Sequence, residues 1–396
     1  MNPSAHFLAC APTVARTTAA TTTTTVANTV RSNRRPAAVF TSYLSSSSIS
    51  SNSSGSRRGV PSLTSRTSLV VVPHRRLNHQ LLNRNINCSS SSLFPAKRST
   101  AANCHTPPLR TMSSSSTSLI ESAKRAACQQ AVADNFDPSF KYVGIGSGST
   151  VAYVVEAIAA RGADVTSRIK FVPSGSGSAK LVRDAGLTVL QVPELLAEVA
   201  AAATTPPPNR QYIDVYFDGA DEVDPELAVI KGGGACLFQE KLVARLSKKF
   251  VCVADSRKRA ARLLTNWAYV PIEVSPVAAE LVRQALVDLG SKDPAVRTSG
   301  PGAAPGGTDN HNYIIDAPFP PLLLGGSEAG QLDPAAGKWT PDALAAAIKG
   351  ILGVLEVGIF SGPTGPQAAA LGLGAIGVKP VKAYFGNADG GVETLG

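Results

Sequence analysis

Residues that can do acid–base chemistry are concentrated between positions 214 and 241. An apolar run over 212–217 predicts a buried strand, which ends at the carboxylate of Asp218, three residues before Asp221. An acid at such a junction commonly caps a turn or a helix. The alternative is functional, because two carboxylates that bracket small residues at a strand end can both accept hydrogen bonds from a polyhydroxyl ligand.

A lysine, a glycine triplet and a further acid follow in the same segment. Lys231 precedes Gly232, Gly233 and Gly234, and so combines a cation with open backbone amides. This combination suits a developing oxyanion or enediolate. A flexible loop would explain the glycines but not the lysine. Glu240 lies in the second turn of a predicted helix, where it is a general base if it faces the site and an i,i+4 surface partner if it does not.

A loop rich in glycine and serine, residues 146–150, lies between a predicted strand over 142–145 and a predicted helix that begins at Val151. Such a junction places backbone N–H groups, hydroxyls and a helix dipole around an anion. The loop lacks the Gly-Lys-[Ser/Thr] of a P-loop, and its glycine spacing differs from that of a dinucleotide-binding motif. Phosphate binding and an ordinary strand-to-helix turn are the two interpretations.

The positions of cysteine and histidine exclude several kinds of chemistry. Three of the six cysteines and four of the five histidines lie within residues 1–112. The remaining Cys128, Cys236 and Cys252 have no CxxC spacing, so neither a disulfide framework nor a thiolate zinc site is indicated. His311 lies in a loop-like segment and is predicted to be solvated. We therefore expect no metal, and we expect carboxylates and lysines to carry the chemistry.

Residues 1–112 differ in composition from the rest of the chain. They contain no Asp or Glu, 12 Arg, one Lys and long runs of Ser and Thr. This composition is typical of an organelle transit peptide that is disordered as a free chain. The Ser and Thr excess and the length favour a plastid, and hence the chloroplast stroma, over a mitochondrion. Met112, the only methionine after Met1, would provide an alternative start for a cytosolic form.

The net charge of +10 comes from the same N-terminal segment. It holds 13 of the 38 basic residues, which leaves 25 bases against 28 acids and a charge of about −3 for residues 113–396. A basic chain often binds nucleic acid. Because the excess of basic residues lies in the predicted transit peptide, we expect no nucleic-acid partner. No apolar run is long enough to span a bilayer, so we expect no membrane partner either.

Alternating strand and helix patterns predict an α/β fold, with an open, mostly parallel sheet and helices on both faces, of the Rossmann-like kind. We predict a catalytic α/β domain over 113–270 that is completed by 361–396. A smaller α/β, ferredoxin-like domain over 271–360 would serve as a lid or an oligomerisation domain. In a parallel sheet, ligands lie beyond the carboxyl ends of the strands, so the loops after these strands are expected to converge.

Several segments are predicted to be surface features. Glu222, Asp224 and Glu226 flank a proline-containing turn and are interpreted as solvated acids. Residues 196–210 and 361–380 are interpreted as surface insertions, the first because it is rich in alanine and proline. A further strand is predicted over Leu187 to Val192, immediately before the first insertion.

Four motifs in order carry a family resemblance: GIGSGST at 144–150, DGADEVDPEL at 218–227, IKGGGACLFQEK at 230–241 and VADSRK at 253–258. Together they resemble the ribose-5-phosphate isomerase A family. The resemblance implies reversible aldose–ketose isomerisation of ribose 5-phosphate and ribulose 5-phosphate through an enediolate, without a metal or another cofactor. It also implies a place in the pentose phosphate pathway and the Calvin cycle, and a homo-oligomer, either a dimer or a tetramer.

The resemblance also implies a role for each matching residue. Glu240 would be the base that moves a proton between C1 and C2. Asp218 and Asp221 would hold the sugar hydroxyls and assist ring opening and proton exchange, and Lys231 would stabilise the oxyanion. The implied substrate-binding residues are Ser147, Gly148, Ser149, Thr150, Asp218, Gly219, Ala220, Asp221, Lys231, Gly232, Gly233, Gly234 and Lys258, with Lys124 as a further phosphate candidate.

Two other functions are alternatives to the isomerase. An acyl-CoA transferase of the same broad superfamily would use Glu240 as a nucleophile, but Asp218 and Asp221 would then have no purpose. A non-catalytic sugar-phosphate sensor would carry an attached DNA-binding module or would lack Glu240, and the chain shows neither feature. The isomerase is therefore the function that the sequence favours.

Overall fold

The computed structural model describes residues 114–202 and 209–396. The predicted transit peptide lies outside these residues. The helices are α1 (Ser114–Asn135), α2 (Val151–Ala159), α3 (Ala163–Thr166), α4 (Ser176–Asp184), α5 (Val192–Ala202), α6 (Leu237–Arg245), α7 (Ala279–Asp288), α8 (Pro341–Lys349) and α9 (Gly365–Ala370). The strands are β1 (Tyr142–Ile145), β2 (Lys170–Pro173), β3 (Val215–Asp218), β4 (Glu222–Val223), β5 (Val229–Ile230), β6 (Phe250–Asp255), β7 (Val270–Val274), β8 (Ala295–Val296), β9 (Tyr313–Ala317), β10 (Val354–Val357), β11 (Ile359–Phe360), β12 (Lys382–Gly386) and β13 (Val392–Leu395).

The largest sheet has six strands in the order β13-β12-β6-β3-β1-β2. Every neighbouring pair is parallel except β12 and the edge strand β13. Successive strand side chains point to opposite faces. Val215 and Phe217 accordingly join a core cluster with α1 and α2, whereas Tyr216 joins a second cluster with α5 and α6. The predicted open, mostly parallel sheet with helices on both faces is confirmed.

The second sheet has four strands in the order β10-β7-β9-β8, and all its pairs are antiparallel. With α7 and α8 its elements follow the order βαββαβ, which is the ferredoxin-like arrangement. Strand β8 was not predicted, because it has only two residues and Ala295 is exposed. The division of the chain at residue 270 and the role of the second unit as a lid stay predictions.

A third, three-stranded sheet joins β4 and β5 to β11. The β4–β5 hairpin connects Asp218 at the end of β3 to Lys231, so it sets the distance between two of the predicted site residues. Glu222 and Asp224 lie on this hairpin, and the prediction that they are solvated is wrong because both are buried. Glu222 accepts hydrogen bonds from the backbone N–H groups of residues 264–267, and Asp224 accepts them from Glu226 and Ala228.

Three local predictions also need correction. The predicted strand over Leu187 to Val192 is a single bridge between Phe171 and Val189. Part of the predicted insertion at 196–210 belongs to α5, which is anchored by the fully buried Leu195. Residues 203–208 of that insertion lie outside the described residues. The predicted insertion at 361–380 contains α9, whose first turn is closed by a reciprocal capping box between Thr364 and Gln367.

No helix among the described residues has the length and apolar character needed to cross a bilayer. His311 is exposed, as predicted.

Candidate active site

A cavity of about 280 Å³ lies beyond the carboxyl ends of β1, β3 and β6. Its walls are the loop after β1, the turn after β3, the segment from Lys231 to Gly234, and the first residues after β6. Its lining residues are Lys124, Ser147, Gly148, Ser149, Thr150, Gly219, Ala220, Asp221, Lys231, Gly232, Gly234, Glu240, Ala254, Asp255, Arg257 and Lys258. The loops converge as expected, because the carboxyl ends of parallel strands lie at the same edge of a sheet.

Asp218 lies beneath the cavity wall and is fully buried. Its Oδ1 accepts hydrogen bonds from the backbone N–H groups of Ser147 (3.1 Å) and Gly219 (2.7 Å). Its Oδ2 accepts one from the Tyr216 hydroxyl and lies 2.6 Å from Lys231 Nζ. Three hydrogen bonds and the ion pair with Lys231 therefore surround this carboxylate.

Burial raises the pKa of Asp218 to about 7, even though the charge of Lys231 acts to lower it. The neighbouring carboxylate of Glu240 also raises this pKa. Asp218 is therefore an acid that changes its charge near neutral pH.

Lys231 is a buried cation held between two carboxylates. Its Nζ lies 2.6 Å from Asp218 Oδ2 and 3.4 Å from Glu240 Oε2, and it donates a hydrogen bond to the backbone oxygen of Gly219 at 2.6 Å. Burial would lower the pKa of Lys231, but the charges of Asp218 and Glu240 outweigh burial and raise it. The ammonium group thus stays charged at neutral pH.

Glu240 projects from the first turns of α6 and is 3% exposed. Its Oε1 accepts a hydrogen bond from the Ser147 hydroxyl at 2.5 Å. Its Oε2 is buried and has no hydrogen-bond partner among the described residues, because the Lys231 contact lies outside hydrogen-bonding geometry. The interpretation of Glu240 as a surface residue paired along its helix is wrong.

Asp221 is partly buried beside the segment from Lys231 to Gly234. Its Oδ2 accepts a hydrogen bond from the Gly233 N–H at 2.7 Å, and within the described residues its Oδ1 accepts none. Burial raises the pKa of Asp221. Gly233 does not line the cavity. Its backbone N–H orients the Asp221 carboxylate.

Gly146 and Gly232 make the close approach of these groups possible. A Cβ on Gly146 would lie 2.0 Å from Asp218 Oδ1. Gly232 has a φ of 110°, a conformation that side chains rarely adopt, and a Cβ there would lie 2.7 Å from Leu237. The glycines are thus required by packing at the site rather than by flexibility.

Three basic side chains line one side of the cavity. Lys124 Nζ lies 3.2 Å from Ser149 Oγ and 2.9 Å from Glu121 Oε1. Lys258 Nζ lies 5.2 Å from the centre of the Trp267 ring, within cation–π range. Arg257 is paired with Asp255 at 2.6 Å. Together with the start of α2 beside Thr150, these basic side chains are groups that can bind an anion, although Lys124 and Arg257 are each paired with a carboxylate.

Known proteins resemble this chain in sequence and in structure. A family model described as ribose 5-phosphate isomerase A (phosphoriboisomerase A) matches residues 170–371. The chain is also 43% identical over 288 residues to the ribose-5-phosphate isomerase of Eremothecium gossypii, covering 70% of this chain and 93% of that protein. The chain belongs to the ribose 5-phosphate isomerase A family.

Other members support the same assignment. The ribose-5-phosphate isomerase of Schizosaccharomyces pombe is 45% identical over 246 residues, which is 61% of this chain and 77% of that protein. The structure of ribose 5-phosphate isomerase A from Neisseria gonorrhoeae matches with a TM-score of 0.51 and 28% identity, covering 69% of this chain and 96% of that one. A D-ribose-5-phosphate isomerase in complex with phospho-erythronic acid matches with a TM-score of 0.53 and 27% identity, covering 70% and 98%. The protein is accordingly an aldose–ketose isomerase that acts on a sugar phosphate.

Most of the residues that sequence reasoning singled out lie around this cavity. Of the residues it singled out, all except Asp218 and Gly233 line the cavity, and these two contact residues that do. It did not single out Ala254, Asp255 and Arg257 as site residues, although they also line the cavity, nor Tyr216 and Trp267, which contact Asp218 and Lys258. Tyr216 lies two positions before Asp218 on the same strand face, so alternation along β3 was a usable signal. Trp267, which packs against Gly233, left no such signal because only the fold brings it there.

Proposed function

We propose that Glu240 is the general base of this ribose-5-phosphate isomerase, and that it moves a proton between C2 and C1 of the open-chain sugar phosphate through an enediolate. The observation that carries this proposal is that the buried Oε2 of Glu240, at the wall of a polar cavity, has no hydrogen-bond partner in the described part of the chain. A carboxylate oxygen in that state retains a lone pair for a C–H proton. Ser147, on the other oxygen, holds the group in position.

In the aldose-to-ketose direction, Glu240 removes the C2 proton, and the electron pair forms the C1–C2 double bond while negative charge develops on O1. Lys231 stabilises this charge as a fixed cation, assisted by backbone of the adjacent Gly232 and Gly234, which line the cavity. The protonated Glu240 then returns the proton to C1. The hydroxyl proton of O2 moves to O1, and in this proposal Asp221 carries it on Oδ1, which accepts no hydrogen bond from residues 114–202 or 209–396.

Asp218 is better suited to fix Lys231 than to bind the sugar. Three hydrogen bonds and the ion pair with Lys231 surround its carboxylate, and its side chain does not line the cavity. In this proposal Asp221 is the carboxylate that contacts the sugar hydroxyls, and Asp218 acts through the lysine.

In this proposal the phosphate group binds at the basic side of the cavity, where Lys124, Arg257 and Lys258 lie. Ser149, Thr150, Lys124 and Lys258 offer hydroxyls, two cations and the start of a helix. A neighbour in structure binds phospho-erythronic acid, which carries a phosphate at one end and a planar carboxylate at the other. A planar carboxylate resembles the planar enediolate, so the same two-ended arrangement would hold the reaction intermediate.

The test is the interconversion of ribose 5-phosphate and ribulose 5-phosphate by the full chain, in the presence of EDTA, with Glu240→Gln beside the wild type. Glutamine keeps the shape and an oxygen acceptor for Ser147 but cannot take a proton. We expect kcat to fall by about 10²–10⁴, the usual contribution of a general base, with substrate binding retained. Glu280→Gln, an exposed acid on α7, is the matched control. Unchanged turnover in Glu240→Gln would move the base to Asp221.

We further propose that residues 1–112 direct the enzyme to the chloroplast stroma and so to the Calvin cycle as well as the pentose phosphate pathway. The acid-free composition, rich in Arg, Ser and Thr, supports this proposal. Fluorescent fusions beginning at Met1 and at Met112 test it. The first should accumulate in plastids and the second in the cytosol, and a cytosolic signal from both would contradict the targeting.

We also propose a homo-oligomer, a dimer or a tetramer. Val277, Leu281 and Leu352 are exposed apolar side chains, with Val277 95% and Leu352 82% exposed. Their segments touch, because Ser275 donates its N–H to the backbone oxygen of Gly353 at 2.9 Å. A second copy of the chain would cover this patch. Sedimentation should show an oligomer that Leu352→Asp weakens, and a wild-type monomer would contradict the proposal.

A further inference from the structure

Tyr216 is a fully buried tyrosine whose hydroxyl donates a hydrogen bond to Asp218 Oδ2. Both residues lie on β3, two positions apart, so their side chains project from the same face of the sheet. This tyrosine is not one of the groups that line the cavity. Any influence of this tyrosine on the reaction is therefore indirect, and the site residue to which its hydroxyl donates is Asp218.

The tyrosine ring is held by packing that does not involve the cavity. It lies against the Phe250 ring, with the ring centres 5.1 Å apart. On another side it lies over Gly144, where an added Cβ would come within 2.7 Å of Tyr216 Cδ2. The ring therefore has little freedom to move, and its hydroxyl is a donor at a fixed point.

We propose that Tyr216 is a positioning residue for the isomerisation, which holds the Asp218 carboxylate against Lys231 and favours its ionised form. This proposal rests on the proposed function, in which Lys231 stabilises the charge on O1. Oδ2 of Asp218 receives both the tyrosine hydroxyl and the Lys231 ammonium, so the tyrosine hydroxyl fixes the carboxylate oxygen that anchors the cation.

The electrostatic surroundings define what the hydroxyl contributes. The groups that face Asp218 are Lys231 from the segment after β5, Glu240 from α6, Cys236 before α6, and Cys252 from β6, with Tyr216 on its own strand. Burial raises the pKa of the Tyr216 hydroxyl well above its usual range, and the charges of Asp218 and Glu240 raise it further. The hydroxyl thus remains a donor at every pH at which the enzyme is assayed.

Removing this donor while keeping the ring is possible with Tyr216→Phe. The ionised form of Asp218 loses one hydrogen bond, so its pKa rises. We expect the acidic limb of the pH profile of kcat/KM to move upward by about one to two pH units, the shift that loss of one hydrogen bond to a charged group produces. Activity should return towards the wild-type value above pH 9. KM should change less than kcat, because Asp218 lies outside the cavity lining.

The matched control is Tyr142→Phe. Tyr142 lies on the neighbouring strand β1 and in the same core cluster, but its hydroxyl donates to Glu198 at 2.7 Å, away from Asp218. This variant should leave the pH profile unchanged. A purely structural role for Tyr216 would lower activity equally at every pH, and that result would overturn the proposal.

A carboxyl ¹³C NMR titration of the full chain, labelled at aspartate, reads the ionisation of Asp218 without turnover. Asp218→Asn identifies its resonance. A higher Asp218 pKa in Tyr216→Phe than in wild type would support the proposal, and identical titrations would refute it. Absence of ribose 5-phosphate turnover in the wild type would instead refute the proposed function, whereas the titration would still decide whether Tyr216 controls Asp218.

Discussion

Replacing Lys231 by methionine tests the central charge arrangement of this site. Lys231 is 3% exposed, and it is the cation between the fully buried Asp218 and the almost fully buried Glu240. Methionine fills a similar volume but carries no charge. Lys231→Met therefore leaves two carboxylates close together in a buried site without the cation that separates them.

The magnitude follows from the distances. At 2.6 Å and 3.4 Å, Coulomb's law with an effective dielectric constant of about 20 gives gross attractions of roughly 6 and 5 kcal/mol for the two carboxylates. Desolvation of the ammonium offsets much of this. Removing one partner of a buried pair usually costs about 3–5 kcal/mol of the free energy of unfolding, because the remaining charge is uncompensated. We expect that loss for Lys231→Met.

The assay is urea unfolding of the full chain at pH 8, followed by isomerase activity. In Lys231→Met/Asp218→Asn one of the two uncompensated carboxylates is neutral, so stability should recover by at least half while activity stays low. We expect kcat to be reduced by about 10²–10³ in both variants, as for loss of an oxyanion-stabilising group.

Lys248→Met is the control for this prediction. Lys248 pairs with Asp214 at the same 2.6 Å, but its side chain is 54% exposed. Its loss should cost less than about 1 kcal/mol, as for a surface pair. The reasoning is refuted if Lys231→Met loses no more stability than Lys248→Met, or if the double variant is no more stable than Lys231→Met.

Three further predictions concern the surroundings of this charge arrangement. Gly146→Ala should lower kcat at least tenfold, by the clash with Asp218, whereas Gly177→Ala, whose added Cβ meets no heavy atom of the described residues within 4 Å, should retain wild-type kcat. Lys241→Met should lower the free energy of unfolding by about 3 kcal/mol, because Lys241 Nζ donates to Glu356 at 3.0 Å and to two backbone carbonyls; equal urea midpoints for variant and wild type would contradict this. Since the pKa of Asp218 is raised to about 7, its carboxylate protonates as the pH falls through 7, and kcat/KM should decline about tenfold per pH unit below that value; a profile flat to pH 5.5 would show that the ionised form is not required.

Local patterns in the sequence were sufficient to single out the candidate site residues. Asp218 follows an apolar run, Lys231 precedes three glycines, and Glu240 lies in a helical turn, so type and spacing were readable without a structure. The parallel sheet was predictable for the same reason, because strand and helix periods alternate along the chain. From that topology the convergence of the loops follows.

Features that depend on contacts between distant residues were not predictable. Glu222 resembles any turn acid in sequence, yet it is buried because it accepts hydrogen bonds from backbone more than 40 residues away. Leu195 is one leucine among several apolar residues, and its burial shows why α5 is a helix rather than an exposed insertion. A sequence shows which groups can accept hydrogen bonds. The number of donors around each group depends on the fold.

The same distinction separates the two carboxylates that matter most here. The sequence by itself determined that Asp218 and Glu240 belong to one site and what chemistry they can perform. Only the tertiary structure decided that three hydrogen bonds and the Lys231 ammonium surround Asp218, whereas Oε2 of Glu240 has no hydrogen-bond donor among the described residues. The physical reason is that the donors around a carboxylate decide whether it is held in place or keeps a lone pair available, and those donors come from the loop after β1, from β3 and the turn after it, and from the segment after β5, which meet only in the folded chain.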